Sequence, residues 1–246
     1  MLIDELCDRF LPVAAEHRVT DVRIGLGYTG VLLDNDRCGL AYTFRQDSGH
    51  GCCAFRDAGT LRGKSAAELL RCAKAPDVIS AAISLATINA LTNPPLEGTA
   101  DGLALLRLEP KDEVGMVGYF GPLVEPLKKR CKTLHIFERV PHRGADVLSE
   151  EAAAEVLPHC DVAIITATSL LNRTLDQLLE HCSSAREVML LGPSTPFIPE
   201  VFASNGVTIL SGMRVMDPAR ALQVISEGGG TMNLLLSMRK ISMRIS

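Results

Sequence analysis

The sequence predicts a mixed α/β chain of two parts: an antiparallel meander with helices, an α+β module, followed by a Rossmann-like parallel sheet. Three observations carry this. Before residue 45, apolar and polar residues alternate in short runs separated by turn residues. After residue 110, short aliphatic runs alternate with amphipathic segments. Between them lies "TNPPLEGTADG", whose prolines and glycines suit neither a helix nor a central strand.

The first part begins with apolar residues at helical spacing (Leu6, Phe10, Val13), which predict a helix over 4–16. Val22, Ile24 and Leu26 alternate with Asp21, Arg23 and Gly25 and predict a strand. Two more strands are expected at 31–33 and 40–44, parted by the turn-forming Asp34-Asn35-Asp36-Arg37. After a loop bearing Gly49, Gly51 and Gly59, helices are expected over 65–74 and 77–91. Ser65 with Glu68 forms a capping pair at the first, and Pro76 precedes the second.

The second part is expected to hold five parallel strands, at 114–118, 133–137, 162–166, 188–191 and 207–210. Helices follow them in turn at 122–130, 150–157, 174–182, 199–204 and 218–227. The expected modules are residues 1–108 and 109–246.

With 47% hydrophobic residues the chain of 246 can bury a sizeable core. A net charge of −4 speaks against nucleic acid as a partner, since phosphate binding needs a concentrated basic excess. No apolar run reaches the roughly 20 residues that span a bilayer. The acidic start, MLIDELCDRF, is unlike a signal peptide, so a cytoplasmic location is expected. The eight cysteines contain no CxxC pair and are expected to be free thiols. The local group His50-Gly51-Cys52-Cys53 has donors that suit a soft metal, although adjacent cysteines on an extended chain diverge, and a loop with two small thiols explains the segment as well. Lys128, Lys129, Arg130 and Lys132 read as a solvated, charged helix end.

Ligands of open parallel sheets bind beyond the carboxyl ends of the strands. Those ends carry Gly118, Tyr119 and Gly121; then Glu138 and Arg139; then Thr166, Thr168, Ser169 and Asn172; then Gly192, Ser194 and Thr195; and finally Ser211 to Arg214. The first loop, "GMVGYFGPL", with Glu138 twenty residues after Gly118, has the order of a dinucleotide fingerprint. Its spacing is GxxGxxG, and Tyr119 and Phe120 fill the turn, so a tight strand-to-helix connection accounts for it equally. Gly228, Gly229 and Gly230 either converge N–H groups on an anion or end a helix. No GxSxG, HExxH or P-loop motif is present.

Taken together, "GLGYTGVLL", "GLAYTF", "SLATINAL", "VGMVGYFGPLV", "IFERVP", "LLGPSTPF" and "ISEGGGT" resemble a prokaryotic family associated with heavy-metal chelation. The resemblance runs from about residue 20 to about residue 232. It implies a module similar to the enolase N-terminal domain joined to a Rossmann-like domain, and a role near metals or metal chelates. It implies no enolase activity, because the barrel that carries that chemistry is missing.

Two functional classes follow. One is binding or handling of a heavy metal, or of an anionic metal chelate, between the modules; the other is an enzyme acting on a small anionic metabolite or nucleotide-like cofactor at the same strand ends. Arg139, Ser194, Thr195, Glu138 and the turn from Gly118 to Gly121 are expected to line one cleft. There Arg139 would offer a positive fork to an anion. A bare metal ion would need Glu138 with His50 or Cys52. A small-molecule or metal ligand is the expected partner, with no nucleic acid and no membrane, and self-association is left open.

Overall fold

The computed structural model describes residues 1–47, 53–92, 94, 98, 101–139 and 147–246. Helix α1 (Leu2–Ala14) leads into the strands β1 (Val19–Ile24), β2 (Tyr28–Leu33) and β3 (Cys38–Tyr42), which pair in that order as an antiparallel sheet. Helices α2 (Ala66–Arg71) and α3 (Val78–Thr92) follow. At α2 the expected cap is present, Glu68 accepting the Ser65 amide N–H at 2.9 Å.

Both faces of the meander are covered, and glycine makes this possible. On one face α3 comes so close that a Cβ on Gly39 would lie 2.1 Å from the Ala86 carbonyl oxygen. Helix α3 is apolar nearly all round and buried from Ile79 to Ile88, as a helix enclosed by strands and neighbouring helices requires. Its hydroxyls turn back on the backbone, Ser84 donating to Leu69 O at 2.8 Å and Thr87 to Ile83 O at 2.8 Å. The other face, with Tyr28 and Leu40, packs against Leu222 and Ile225 of a helix from the second part.

That second part runs β4 (Glu113–Val117), α4 (Gly121–Lys128), β5 (Thr133–Glu138), β6 (Val147–Ser149), α5 (Ala153–Val156), β7 (Val162–Thr166), α6 (Leu175–His181) and β8 (Glu187–Leu191). It continues through α7 (Pro199–Ser204), β9 (Ile209–Val215), α8 (Pro218–Ser226), α9 (Thr231–Leu234) and β10 (Met238–Arg244). The strand order is β10-β9-β8-β7-β4-β5-β6, parallel except that β10 runs antiparallel to β9. Val114, Ile136, Ile164, Leu190 and Ile209 fall on neighbouring parallel strands.

The sheet has seven strands where the sequence reading expects five. Strand β6 is too short to show a period. Strand β10 carries Arg239 and Lys240, exposed charges of the kind that blunt a sheet edge and hide its strand character. The helix expected over 150–157 is a short α5 flanked by 3-10 turns, because Pro158 removes an N–H donor.

The basic run after α4 is only partly solvated. Arg130 donates to the carbonyls of Leu103 and Leu106, both at 3.3 Å, while Arg186 donates to Arg107 O at 2.9 Å and Arg244 to Leu105 O at 2.6 Å. These bonds clasp residues 103–107 across the sheet, and buried Glu187 holds the Arg107 amide N–H at 3.0 Å. No helix among the described residues is long and apolar enough to cross a membrane.

Candidate functional site

The chain order turns back at β4: β5 and β6 lie to one side, β7, β8 and β9 to the other. Carboxyl ends part at such a point and leave a crevice. A cleft of about 190 Å³ lies there, lined from the ends of β4, β5 and β7 and, from the meander, by Tyr42 and Phe44.

Each wall follows from local structure. Gly118, the first residue after β4, has φ +91°, a conformation that glycine adopts without steric penalty; a Cβ there would also lie 3.0 Å from Thr166 Cβ. The chain can therefore turn sharply into α4, exposing Tyr119 and Phe120 to the cleft. Glu138, the last residue of β5, accepts the Tyr119 amide N–H at 2.8 Å. Beyond β7 the chain tightens into a 3-10 turn. The Thr166 and Thr168 hydroxyls meet at 2.9 Å, and Ser169 donates to Thr166 O at 2.6 Å. Asn172 Oδ1 accepts the Thr174 hydroxyl at 2.9 Å.

Arg139 is held rather than free. Its guanidinium donates to Asp47 of the first module at 2.7 Å, lies 3.8 Å from Glu150 and sits 5.3 Å over the Phe44 ring. The Asp47 hydrogen bond raises its pKa further. Burial pushes the Glu150 carboxyl up, against the pull of Arg139, and Glu151 and Glu138 push the same way. The charged side chains lining the cleft among the described residues are Glu138, Glu150 and Arg139, with Asp47 bonded to Arg139.

The expected site residues divide. Gly118, Tyr119, Glu138, Arg139, Thr166 and Asn172 line this cleft, with Thr168 and Ser169. Gly121 opens α4 beside the Tyr119 ring and is not part of the lining. Ser194 and Thr195 are buried instead, 1% and 2% exposed. Ser194 Oγ takes the Tyr42 amide N–H at 2.9 Å, and Thr195 donates to Ser211 O at 3.0 Å. Their hydroxyls are used in joining elements and do not line this cleft. Gly192 lines a separate cavity of about 160 Å³ with Ser211, Gly212 and Lys240. Gly228, Gly229 and Gly230 end α8, the amide of Gly229 donating to Val224 O at 2.8 Å, and Gly27 packs against them. They form a helix end beside the β1–β2 turn, away from the cleft. The positive fork expected of Arg139 is already taken by carboxylates.

His50 and Cys52 lie outside the described residues. Among those described, no group of three or more His, Cys, Asp or Glu side chains converges to hold a metal ion, so a resident bare ion does not fit the residues on view.

Tyr42, Phe44, Asp47 and Glu150 do not emerge from the strand-end argument, because three of them come from the other module. A signal for the aromatics exists, since the chain has only three tyrosines and two of them line this cleft.

Residues 101–244 match the family model DUF364, and residues 7–92 match DUF4213; both are described as "Putative heavy-metal chelation". The chain belongs to the DUF364 family. The resemblance read from the sequence motifs therefore holds over both modules. An uncharacterised protein of Methanocaldococcus jannaschii is 29% identical over all of this chain and 98% of its own length. A DUF364 protein of unknown function from Desulfitobacterium hafniense, known by crystal structure, is 26% identical with a TM-score of 0.83, over 98% of each chain. Another from Pyrococcus horikoshii shares the fold, with a TM-score of 0.86 at 24% identity over 99% of this chain and all of its own.

Proposed function

We propose that this DUF364 protein binds a small organic metal chelate as its cargo in the cleft at the ends of β4, β5 and β7. The charge arrangement carries the reading. Arg139 is one positive charge against the carboxylates of Asp47, Glu150 and Glu138, so the described residues of the cleft leave a net negative charge, with Glu138 the carboxylate not paired to Arg139. A cleft so charged favours a neutral or cationic guest and disfavours the anionic one that a free Arg139 would attract. The organic part of a chelate has apolar surface to meet in Tyr42, Phe44, Tyr119 and Phe120. Its metal brings positive charge toward Glu138 and Glu150 without needing a complete set of protein ligands. The family description supports a cargo that carries a metal.

The test compares copper(II), zinc(II) and cobalt(II) as aqua ions and as their histidine complexes, by thermal shift and calorimetry on the full chain. The reading expects at least one histidine complex to bind more tightly than its aqua ion, with at least tenfold loss in Glu138→Gln. Tight binding of aqua ions alone, unaffected by that substitution, would overturn it.

A further inference from the structure

We infer that this cleft also recognises, without a metal, a vicinal diol, specifically the ribose of an unphosphorylated nucleoside; the inference rests on the reading that the cleft takes an organic guest. Glu138 is the anchor. It ends β5, the strand next to β4, and its Oε2 is fixed by the Tyr119 amide N–H at 2.8 Å. Oε1 has no protein partner among the described residues, and the side chain lines the cleft. A carboxylate oxygen accepts through two lone pairs and offers no donor, so the matching group presents O–H donors close together. Two adjacent hydroxyls on a five-membered ring do this with little loss of internal freedom.

The surroundings select among diols. Tyr42 and Phe44 pack edge to face at 5.1 Å on the meander side, and Tyr119, on the turn after β4, lines the same cleft, an aromatic lining that suits a flat base attached to the sugar. Phosphate is disfavoured on two counts. Arg139 is engaged by Asp47 and Glu150. Tyr119 and Phe120 stand where a dinucleotide site has small residues that let the backbone approach a pyrophosphate.

The experiment titrates the full chain by calorimetry with the four ribonucleosides, their 2′-deoxy counterparts, the 5′-monophosphates, free ribose and catechol. At least one ribonucleoside binds, its 2′-deoxy form at least tenfold more weakly and its 5′-monophosphate no more tightly. In Glu138→Gln, shown folded by circular dichroism, the ribonucleoside loses at least tenfold and the 2′-deoxy form, which keeps one of the two hydroxyls, loses less. Equal binding of ribo and deoxy forms, tighter binding of the monophosphate, or no ribonucleoside binding would each overturn the proposal. So would binding of ribose or catechol alone, which would assign the diol to another source. The deoxy comparison needs no variant. If metal–histidine complexes bind while nucleosides do not, the nucleoside inference alone fails.

Discussion

Ser194 Oγ accepts the amide N–H of Tyr42 at 2.9 Å, and this single bond joins the last residue of the meander to the turn after β8. Strand β3 is an edge of its sheet, so its outward amide has no neighbouring strand to pair with. Asn89 of α3 reinforces the junction, donating to Leu40 O at 2.7 Å and Ser194 O at 3.1 Å. Tyr42, which lines the cleft, is thereby fixed through its backbone. Ser194→Ala removes the acceptor and leaves a half-buried N–H unpaired, which costs about 1–3 kcal/mol. Urea unfolding should show a lower midpoint with an unchanged slope; a midpoint equal to that of the parent would mean the junction contributes nothing.

The Asp47–Arg139 pair makes a different prediction, because both groups are part-exposed. Its contribution to stability is small, under about 1 kcal/mol. Its contribution to the charge of the cleft is larger. Asp47→Asn leaves Arg139 with Glu150 alone and should weaken binding of a cationic copper–histidine species severalfold, whereas Arg139→Gln should strengthen it. Calorimetry at low ionic strength reads both. The same direction of change in the two variants would contradict the assigned roles.

Much of this fold is legible in the sequence where one strong regularity acts alone. Strands β4, β7 and β8 are apolar runs buried almost throughout, so composition suffices to place them. Strand β5 is only part-buried, and β9 runs over Ile209–Val215 where 207–210 is expected, because its later residues are less apolar and partly exposed. The edges are not legible in this way. Strand β6 is short, and β10 gains its place by pairing with β9, a contact to which Arg239 and Lys240 give no clue. The site divides on similar lines. Strand ends point to Gly118, Glu138 and Thr166, because topology alone brings them together. Whether Ser194 faces solvent or an edge amide depends on where the first module docks, and no local pattern encodes that. Arg139 shows the same limit: its residue type promises an anion site, and Asp47, distant in sequence, cancels the promise.

Gly39→Ala tests how closely the meander and α3 are packed. The added methyl would stand 2.1 Å from Ala86 O and 2.2 Å from the Ala90 nitrogen, both backbone atoms that cannot swing aside. Helix and sheet must separate, so the loss should be at the severe end for single substitutions, about 4 kcal/mol or more. Insoluble expression or a strongly lowered melting temperature is expected. A variant as stable as the parent would show the packing to be looser.

At the amino-terminal end of β4, Asp112 is fully buried and accepts from Arg186 at 2.7 Å and from the Glu109 amide N–H at 2.7 Å. Burial is the largest single influence and raises its pKa, but the hydrogen bonds from Arg186 and the Glu109 amide, with the charges of Arg186 and Lys111, together outweigh it and leave the carboxyl below the ordinary 3.8. A carboxyl lowered on folding contributes stability above its unfolded pKa, and loses it as pH falls through the folded value. Arg186→Ala should therefore cost about 2–3 kcal/mol at pH 7, in the range of a charged hydrogen bond. Denaturation of both proteins between pH 7 and pH 2.5 should show the gap constant at first and narrowing below about pH 4. A gap that widens in acid would reverse the sign assigned here.

The cysteines give the last test. Burial pushes the thiols of Cys7, Cys38 and Cys182 up to about 12, and that of Cys160 to about 11. A thiol reacts as its thiolate, and at pH 8 a pKa of 12 leaves about one in ten thousand in that form. Cys53, in contrast, is exposed. All seven cysteines among the described residues are free, and the chain has eight in total. Reaction of the native protein with an aromatic disulfide reagent at pH 8 should thus show a fast phase that includes Cys53 and omits those four. Unfolding in guanidinium without reductant should bring the total to eight, since exposed thiols return to a pKa near 8.5. A denatured total below eight would reveal a disulfide involving Cys52 or a described thiol. A fast phase that Cys7→Ser or Cys182→Ser diminishes would show that the helices covering these thiols open readily.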